Sequence, residues 1–283
     1  MPLNEMGSSG SPEPRKVLPD ELTEDFLKLG LEAGNRVVMH ASLSSIGIVD
    51  GGAGMVLHRL LNVLGKKGIL LMPTFTSVTR HSSTHANFTR AGCWCEGRET
   101  RHLPFILELQ PDKEIGEIAH RLCSWPGSRR SRHPAYSFVA VGNDSDRFVR
   151  KYSLTDPLQP LKTLLDQDSF VLTVGVELDS ISAIHIAEQR AVPRKYVKER
   201  ALTMSSTGLI WVEVVSLGCS VGFQRLATHI TQREIQQASI GSAIAKLYSV
   251  KKLLATTKRV LDENPNALAC GRSECNSCQA ARD

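Results

Sequence analysis

Residues 171–188 read VLTVGVELDSISAIHIAE. Four apolar or β-branched residues run into Gly175, a polar turn follows, and His185 and Glu188 then stand three apart in a helical pattern. Positions i and i+3 share one helix face. An apolar strand that ends in glycine and feeds a helix is the unit from which α/β folds are built, and ligands gather at that strand's carboxyl end. A proton carrier and a carboxylate are thus expected side by side at an active edge. On spacing alone, a core histidine beside a solvated glutamate is the favoured reading, and the rest of the sequence tips the balance.

The same alternation extends outward. RVVMH at 36–40 is a buried strand, followed by the small-residue loop ASLSSIG and a helix opening at GGAG and running to Leu64. ILLM at 69–72 and SFVAV at 137–141 are further strands, as are 209–215 and 170–174. Helices are expected at 20–29, 112–122, 144–152 and 161–165, with a long one from about 241 to 264. Strands alternating with helices imply an α/β fold, a three-layer α/β/α sandwich with a central mixed sheet covered on both faces. Residues 1–17, rich in Gly, Ser, Pro and Glu, are expected to be a disordered leader. Residues 18–283 then form a single domain, with a long insertion loop at about 76–106 and a Cys-bearing C-terminal tail.

Composition narrows the function. The chain has 283 residues and a net charge of +5. No apolar run approaches the roughly 20 residues of a membrane span. The N-terminus lacks the apolar segment of a signal peptide, and seven cysteines are an odd number, so free or metal-bound thiols in the cytoplasm are expected. Arg129, Arg130 and Arg132 form a compact basic cluster that suits the phosphates of a small cofactor better than a nucleic-acid backbone. Neither a nucleic acid nor a membrane is an expected partner.

Cys270, Cys275 and Cys278 have metal-ligand spacing and could hold zinc if Cys219 or a histidine supplied the fourth ligand. A looser group is His81, His85, Cys93, Cys95 and His102. The serines and glycines between residues 41 and 54 would let backbone N–H groups approach an anion at a helix start, although neither a P-loop nor a dinucleotide fingerprint is present.

Together, VVMHASLSSIG with GGAG behind it, GILLMPTFT, SRHPAYSFVAVG, DPL at 156–158 and VGVELDSISAIHIAE, in that order, make the chain resemble the aminoglycoside 3-N-acetyltransferase family. This family is distinct in fold from the GNAT acetyltransferases. The resemblance implies direct transfer of acetyl from acetyl-CoA to the 3-amino group of an aminoglycoside, with acetyl-CoA as cosubstrate. Another amine-bearing small molecule, or a non-catalytic zinc- or CoA-binding role, is the alternative. By carry-over His185 is the general base. Glu213 is the first candidate to orient it and Glu188 the second. Asp179 and Glu177 would form the polar substrate pocket. Ser42, Ser44, Ser45, Ile46, Gly47 and Val49 would line the CoA pyrophosphate and pantetheine. Thr74 and Ser137 would lie near the thioester, and Arg132 and His133 near the nucleotide. Where typical members read DSNTSLH this chain reads DSISAIH, and Ile181 in place of Asn implies a substrate pocket with fewer hydrogen bonds.

Overall fold

The computed structural model describes residues 15–81, 102–165, 168–191 and 196–280. Seven strands form one mixed sheet in the order Ile235–Ile240, Ala243–Ser249, Phe170–Val174, Arg36–Ala41, Ile69–Pro73, Phe138–Gly142 and Arg129–Arg130. The Phe170–Val174, Arg36–Ala41 and Ile69–Pro73 strands are parallel, with Ala41 opposite Val174 and Arg36 opposite Ile69. The outer pairings are antiparallel.

The strands are apolar on both faces because both faces are covered. Val37, Met39, Leu70 and Leu172 pack with Leu22, Phe26, Leu57, Leu60 and Ile118, from the helices Pro19–Lys28, Gly52–Leu64 and Glu117–Cys123. Val38, Leu71 and Val171 pack on the other side with Phe148, Leu161, Ile184, Ala187, Leu253 and Leu261, from Ser145–Arg150, Gln159–Leu165, Ile184–Ala191 and Val250–Glu263. This is the expected three-layer α/β/α sandwich.

Connectivity opens a crevice. The chain leaves the Arg36–Ala41 strand for the helix Gly52–Leu64 on one face, and its parallel neighbour Phe170–Val174 for Ile184–Ala191 on the other. Two adjacent parallel strands whose connections diverge to opposite faces leave a gap at their carboxyl ends.

Several boundaries differ from the sequence reading. Residues 1–14 lie outside the described residues, but Lys16–Val17 pairs in parallel with Ile48–Val49 and Val17 is fully buried, so the expected leader stops short of residue 17. The helix expected at 112–122 is split by Gly116 at φ +94° into the 3-10 turn Lys113–Ile115 and the helix Glu117–Cys123. The first third of the expected 241–264 helix is a strand. Ala243 and Ala245 are buried while Ile244 between them is 59% exposed, a period of two that suits a sheet. The Gly208–Val215 strand lies outside the main sheet, in an antiparallel sheet with Lys198–Ser205 and Arg80–His81. Of the expected insertion loop, residues 82–101 lie outside the described residues. Its flanks are ordered: Phe105 is buried and bridges Thr203. No helix among the described residues is long and apolar enough to cross a membrane.

Candidate active site

His185 sits in the first turn of the Ile184–Ala191 helix, and Glu188 one turn on. Both are 5% exposed, and His185 Nδ1 lies 2.7 Å from Glu188 Oε2. A carboxylate can only accept, so Nδ1 carries the hydrogen and donates it to Glu188. Nε2 is thereby left with a free lone pair, the state a general base needs. The ring is fixed from two further sides. Phe223 meets it edge-on with ring centroids 4.7 Å apart. Gly218 lies on another side, where a Cβ would meet Cε1 at an ordinary contact distance of 3.6 Å.

Glu213, the first sequence candidate for orienting the imidazole, is not its partner. Its side chain is 61% exposed on the small sheet and pairs with Lys198 at 2.8 Å. The three-residue spacing already pointed to Glu188, and the helix places it on the ring because i and i+3 share a face.

The serine loop stands at the crevice. Ser42 N donates to Val174 O at 2.9 Å, and Ser45 Oγ reaches Ser42 Oγ at 3.0 Å and Gly175 O at 3.3 Å. Ser42 Oγ and Ser44 Oγ lie 3.0 Å apart. Gly175 allows this approach: its φ is +63°, and a Cβ on it would fall 2.3 Å from the Ser45 Cβ. Ser42, Ser44 and Gly47 line a cavity of about 540 Å³ with Lys113, Glu117 and Val176. Ile46 and Val49, expected among the cofactor contacts, belong instead to the core beneath the loop, Ile46 fully buried and Val49 paired with Val17.

Thr74 and Ser137 are also covered. Their hydroxyls lie 3.0 Å apart, and Arg130 Nε donates to both, at 3.2 and 3.0 Å. Arg130 Nη2 donates to Thr74 O at 2.8 Å, and the guanidinium stacks over Phe105. These two residues therefore anchor Arg130, a role the motif alone did not suggest. Arg132 is exposed and borders two cavities. One, of about 480 Å³, gathers Arg129, Arg130 and Arg150. The other, of about 520 Å³, is walled by Phe105, Ile106, Leu154, Met204 and Ile210. His133, expected beside Arg132 at the nucleotide, is buried: its Nδ1 accepts from the amides of Ala135 and Tyr136, and burial pushes its pKa down to about 4. The loop turns Arg132 out and His133 in because successive residues point to opposite sides of an extended chain.

Glu177 and Asp179 are exposed on the connection between Gly175 and the His185 helix. Glu177 approaches Lys246 at 3.5 Å and Asp179 Oδ1 accepts from Gln224 at 3.4 Å. Ile181 is fully buried in the core, so its replacement of Asn bears on packing there.

Cys219, Cys270, Cys275 and Cys278 converge, all four sulfurs lying within 4.8 Å of one another. Cys278 Sγ is 3.6 Å from Cys270 Sγ. The Cys219 thiol donates to Cys278, which stabilises the Cys278 thiolate and lowers its pKa. Of the looser group, His85, Cys93 and Cys95 lie outside the described residues, while the His81 and His102 rings stand 5.5 Å apart beside Trp211.

A family model described as Aminoglycoside 3-N-acetyltransferase matches residues 38–262. The chain is 29% identical over 235 residues to the SPbeta prophage-derived aminoglycoside N(3')-acetyltransferase-like protein YokD of Bacillus subtilis (strain 168), covering 81% of this chain and 86% of that one. Among solved structures, aminoglycoside acetyltransferase AAC(3)-IVa in complex with a gentamicin superposes with a TM-score of 0.80 at 20% identity, covering 95% of this chain and 100% of that one. AAC-IIIb with CoASH does so with a TM-score of 0.73 at 22% identity, covering 88% and 97%. The α/β/α sandwich and the family match agree, and this chain belongs to the aminoglycoside 3-N-acetyltransferase family of acyltransferases.

Proposed function

We propose that this protein transfers acetyl from acetyl-CoA directly to the 3-amino group of an aminoglycoside, with His185 as general base and Glu188 as the carboxylate that orients it. The observation that carries this reading is the buried 2.7 Å contact between His185 Nδ1 and Glu188, on the helix that leaves the crevice. At neutral pH the substrate amine is an ammonium and cannot attack. His185 Nε2 takes the proton, and the freed amine adds to the thioester carbonyl. The adduct nitrogen loses its second proton to solvent, the C–S bond breaks, and the imidazolium returns its proton to the departing CoA sulfur, leaving a neutral amide and the free thiol. The negative Glu188 stabilises that imidazolium while it exists.

The solved relatives with CoASH and with a gentamicin support the two ligand classes. Here Ser42, Ser44 and Gly47 would hold the pantetheine and pyrophosphate, and Arg132 the nucleotide phosphates. Glu177 and Asp179 would draw in the polycation. In this reading the residues from Lys16 onward work as a single acetyltransferase domain, and cysteines kept reduced favour the cytoplasm. The four cysteines hold a structural zinc. The apolar wall of the 520 Å³ cavity favours one second reading, a less polar amine as substrate.

The test is loss of thioester absorbance with acetyl-CoA and gentamicin- or kanamycin-type amines. His185→Ala should lower kcat by about 10²–10⁴-fold with CoA binding nearly unchanged. Near-normal turnover by that variant would overturn the base assignment. Turnover only with simpler amines would replace the substrate class.

A further inference from the structure

We infer that the Cys219–Cys270–Cys275–Cys278 cluster holds one zinc ion that clamps the wall of the active site, so that metal occupancy sets how well His185 is positioned. The inference rests on the acetyl-transfer reading above for its rate effects, and on geometry alone for the site. A tetrahedral zinc with Zn–S bonds of about 2.3 Å holds its sulfurs about 3.8 Å apart. The four sulfurs here lie within 4.8 Å of one another, and one pair at 3.6 Å. Small shifts close that arrangement around an ion. Four sulfur ligands leave no open position, which is the mark of a structural rather than a catalytic site. Two of the cysteines are buried, and the Cys270 amide already points at Cys278 Sγ, 3.4 Å away, as amides do toward metal-bound thiolates. Arg225 lies against this tail, bonded to the Ala267 and Ala269 carbonyls, and would offset the charge of four thiolates.

The clamp follows from what is attached to each ligand. Three cysteines come from the C-terminal tail. The fourth, Cys219, stands between Gly218, whose backbone flanks the imidazole, and Phe223, whose ring meets it edge-on. The 3-10 helix Val221–Thr228 is also pressed onto the tail at Gly222, where a Cβ would fall 2.1 Å from Leu268 O. A single ion thus ties the chain terminus to both walls of the His185 ring. Without it, the segment carrying Gly218 and Phe223 loses its one covalent-strength anchor, and the ring gains freedom about its Glu188 contact. Angstrom-scale misplacement of a catalytic group lowers rate by about 100-fold.

The experiment begins with metal analysis of the purified full chain, where one zinc per chain is expected. Chelation should then lower kcat by about 10–100-fold and leave the KM for acetyl-CoA within about twofold, because the serine loop lies on other elements. Zinc re-addition should restore wild type but not Cys275→Ser. Ser273→Ala, an exposed tail substitution, should behave as wild type throughout. A readout independent of turnover is the His185 Cε1 resonance, assigned by its loss in His185→Asn, which should shift when zinc is removed and return with it. If Cys275→Ser does not fold, the chelation and re-addition series on wild type decides. Absence of stoichiometric zinc overturns the site. Zinc present with both kcat and the His185 resonance unmoved by its removal overturns the clamp. A moving resonance in a protein that acetylates no amine would instead leave the clamp standing and remove the acetyl-transfer reading.

Discussion

Replacing Glu188 with Gln tests the active site most directly, because it removes a charge and almost nothing else. The side chain keeps its length, and its amide oxygen can still accept from His185 Nδ1, so the fold should survive. During reaction the imidazole becomes positive, and it then lies 2.7 Å from a buried partner that is no longer negative. At an effective dielectric of about 20, opposite unit charges about 4 Å apart interact by about 4 kcal/mol. The smaller bound, a charge-assisted hydrogen bond reduced to a neutral one, is about 1–2 kcal/mol. These limits correspond to losses of about 10-fold to 10³-fold in kcat. A flipped amide that donates to Nδ1 would favour the wrong tautomer and push the loss toward the upper end. Initial rates of thioester loss at saturating acetyl-CoA give kcat, with Glu213→Gln measured alongside. Because Glu213 is 61% exposed and bonded to Lys198, its variant should stay within about twofold of wild type, as an exposed ion pair is worth less than about 1 kcal/mol. Near-normal kcat for Glu188→Gln with a collapse for Glu213→Gln would refute the assignment of the orienting carboxylate.

Two further outcomes are expected. Gly175→Ala places a Cβ 2.3 Å from that of Ser45 at φ +63°, so it should lower stability by about 2–4 kcal/mol and raise the KM for acetyl-CoA as the serine loop is displaced; an unchanged melting temperature and KM would show that the loop is not held there. His40 and His133 are both kept neutral by burial, which pushes each pKa from 6.5 to about 4. The unfolded chain therefore binds more protons between pH 6.5 and 4, and the stability each neutral histidine preserves is complete above pH 6.5 and lost as pH falls toward 4. Between pH 7 and pH 5 each should account for about 2 kcal/mol, so His40→Asn or His133→Asn should shrink that pH-dependent loss in urea melts by about this amount, and an unchanged slope would contradict it.

The layers were legible in the sequence because a strand covered on both faces must be apolar throughout, as RVVMH, ILLM and VLTV are, and its covering helices must carry one apolar stripe. His185 and Glu188 were legible as a pair because three residues on a helix fix their relative position whatever surrounds it. Local spacing also gathered three of the four cysteines. It misread Ala243–Ser249 because a short apolar run beside a long helix carries too few residues to separate a period of two from one of 3.6.

Tertiary structure decided the rest. It chose Glu188 over Glu213, turned Ile46, Val49, Ile181 and His133 into the interior, and gave Thr74 and Ser137 to Arg130. It also brought Cys219 to the tail, 51 positions before Cys270 in the chain. Residue type and short-range order prescribe which elements form and which faces are apolar. Whether a side chain at a loop or strand end meets solvent, a ligand or the core depends on elements distant in sequence that converge there, and only the packed molecule holds that information.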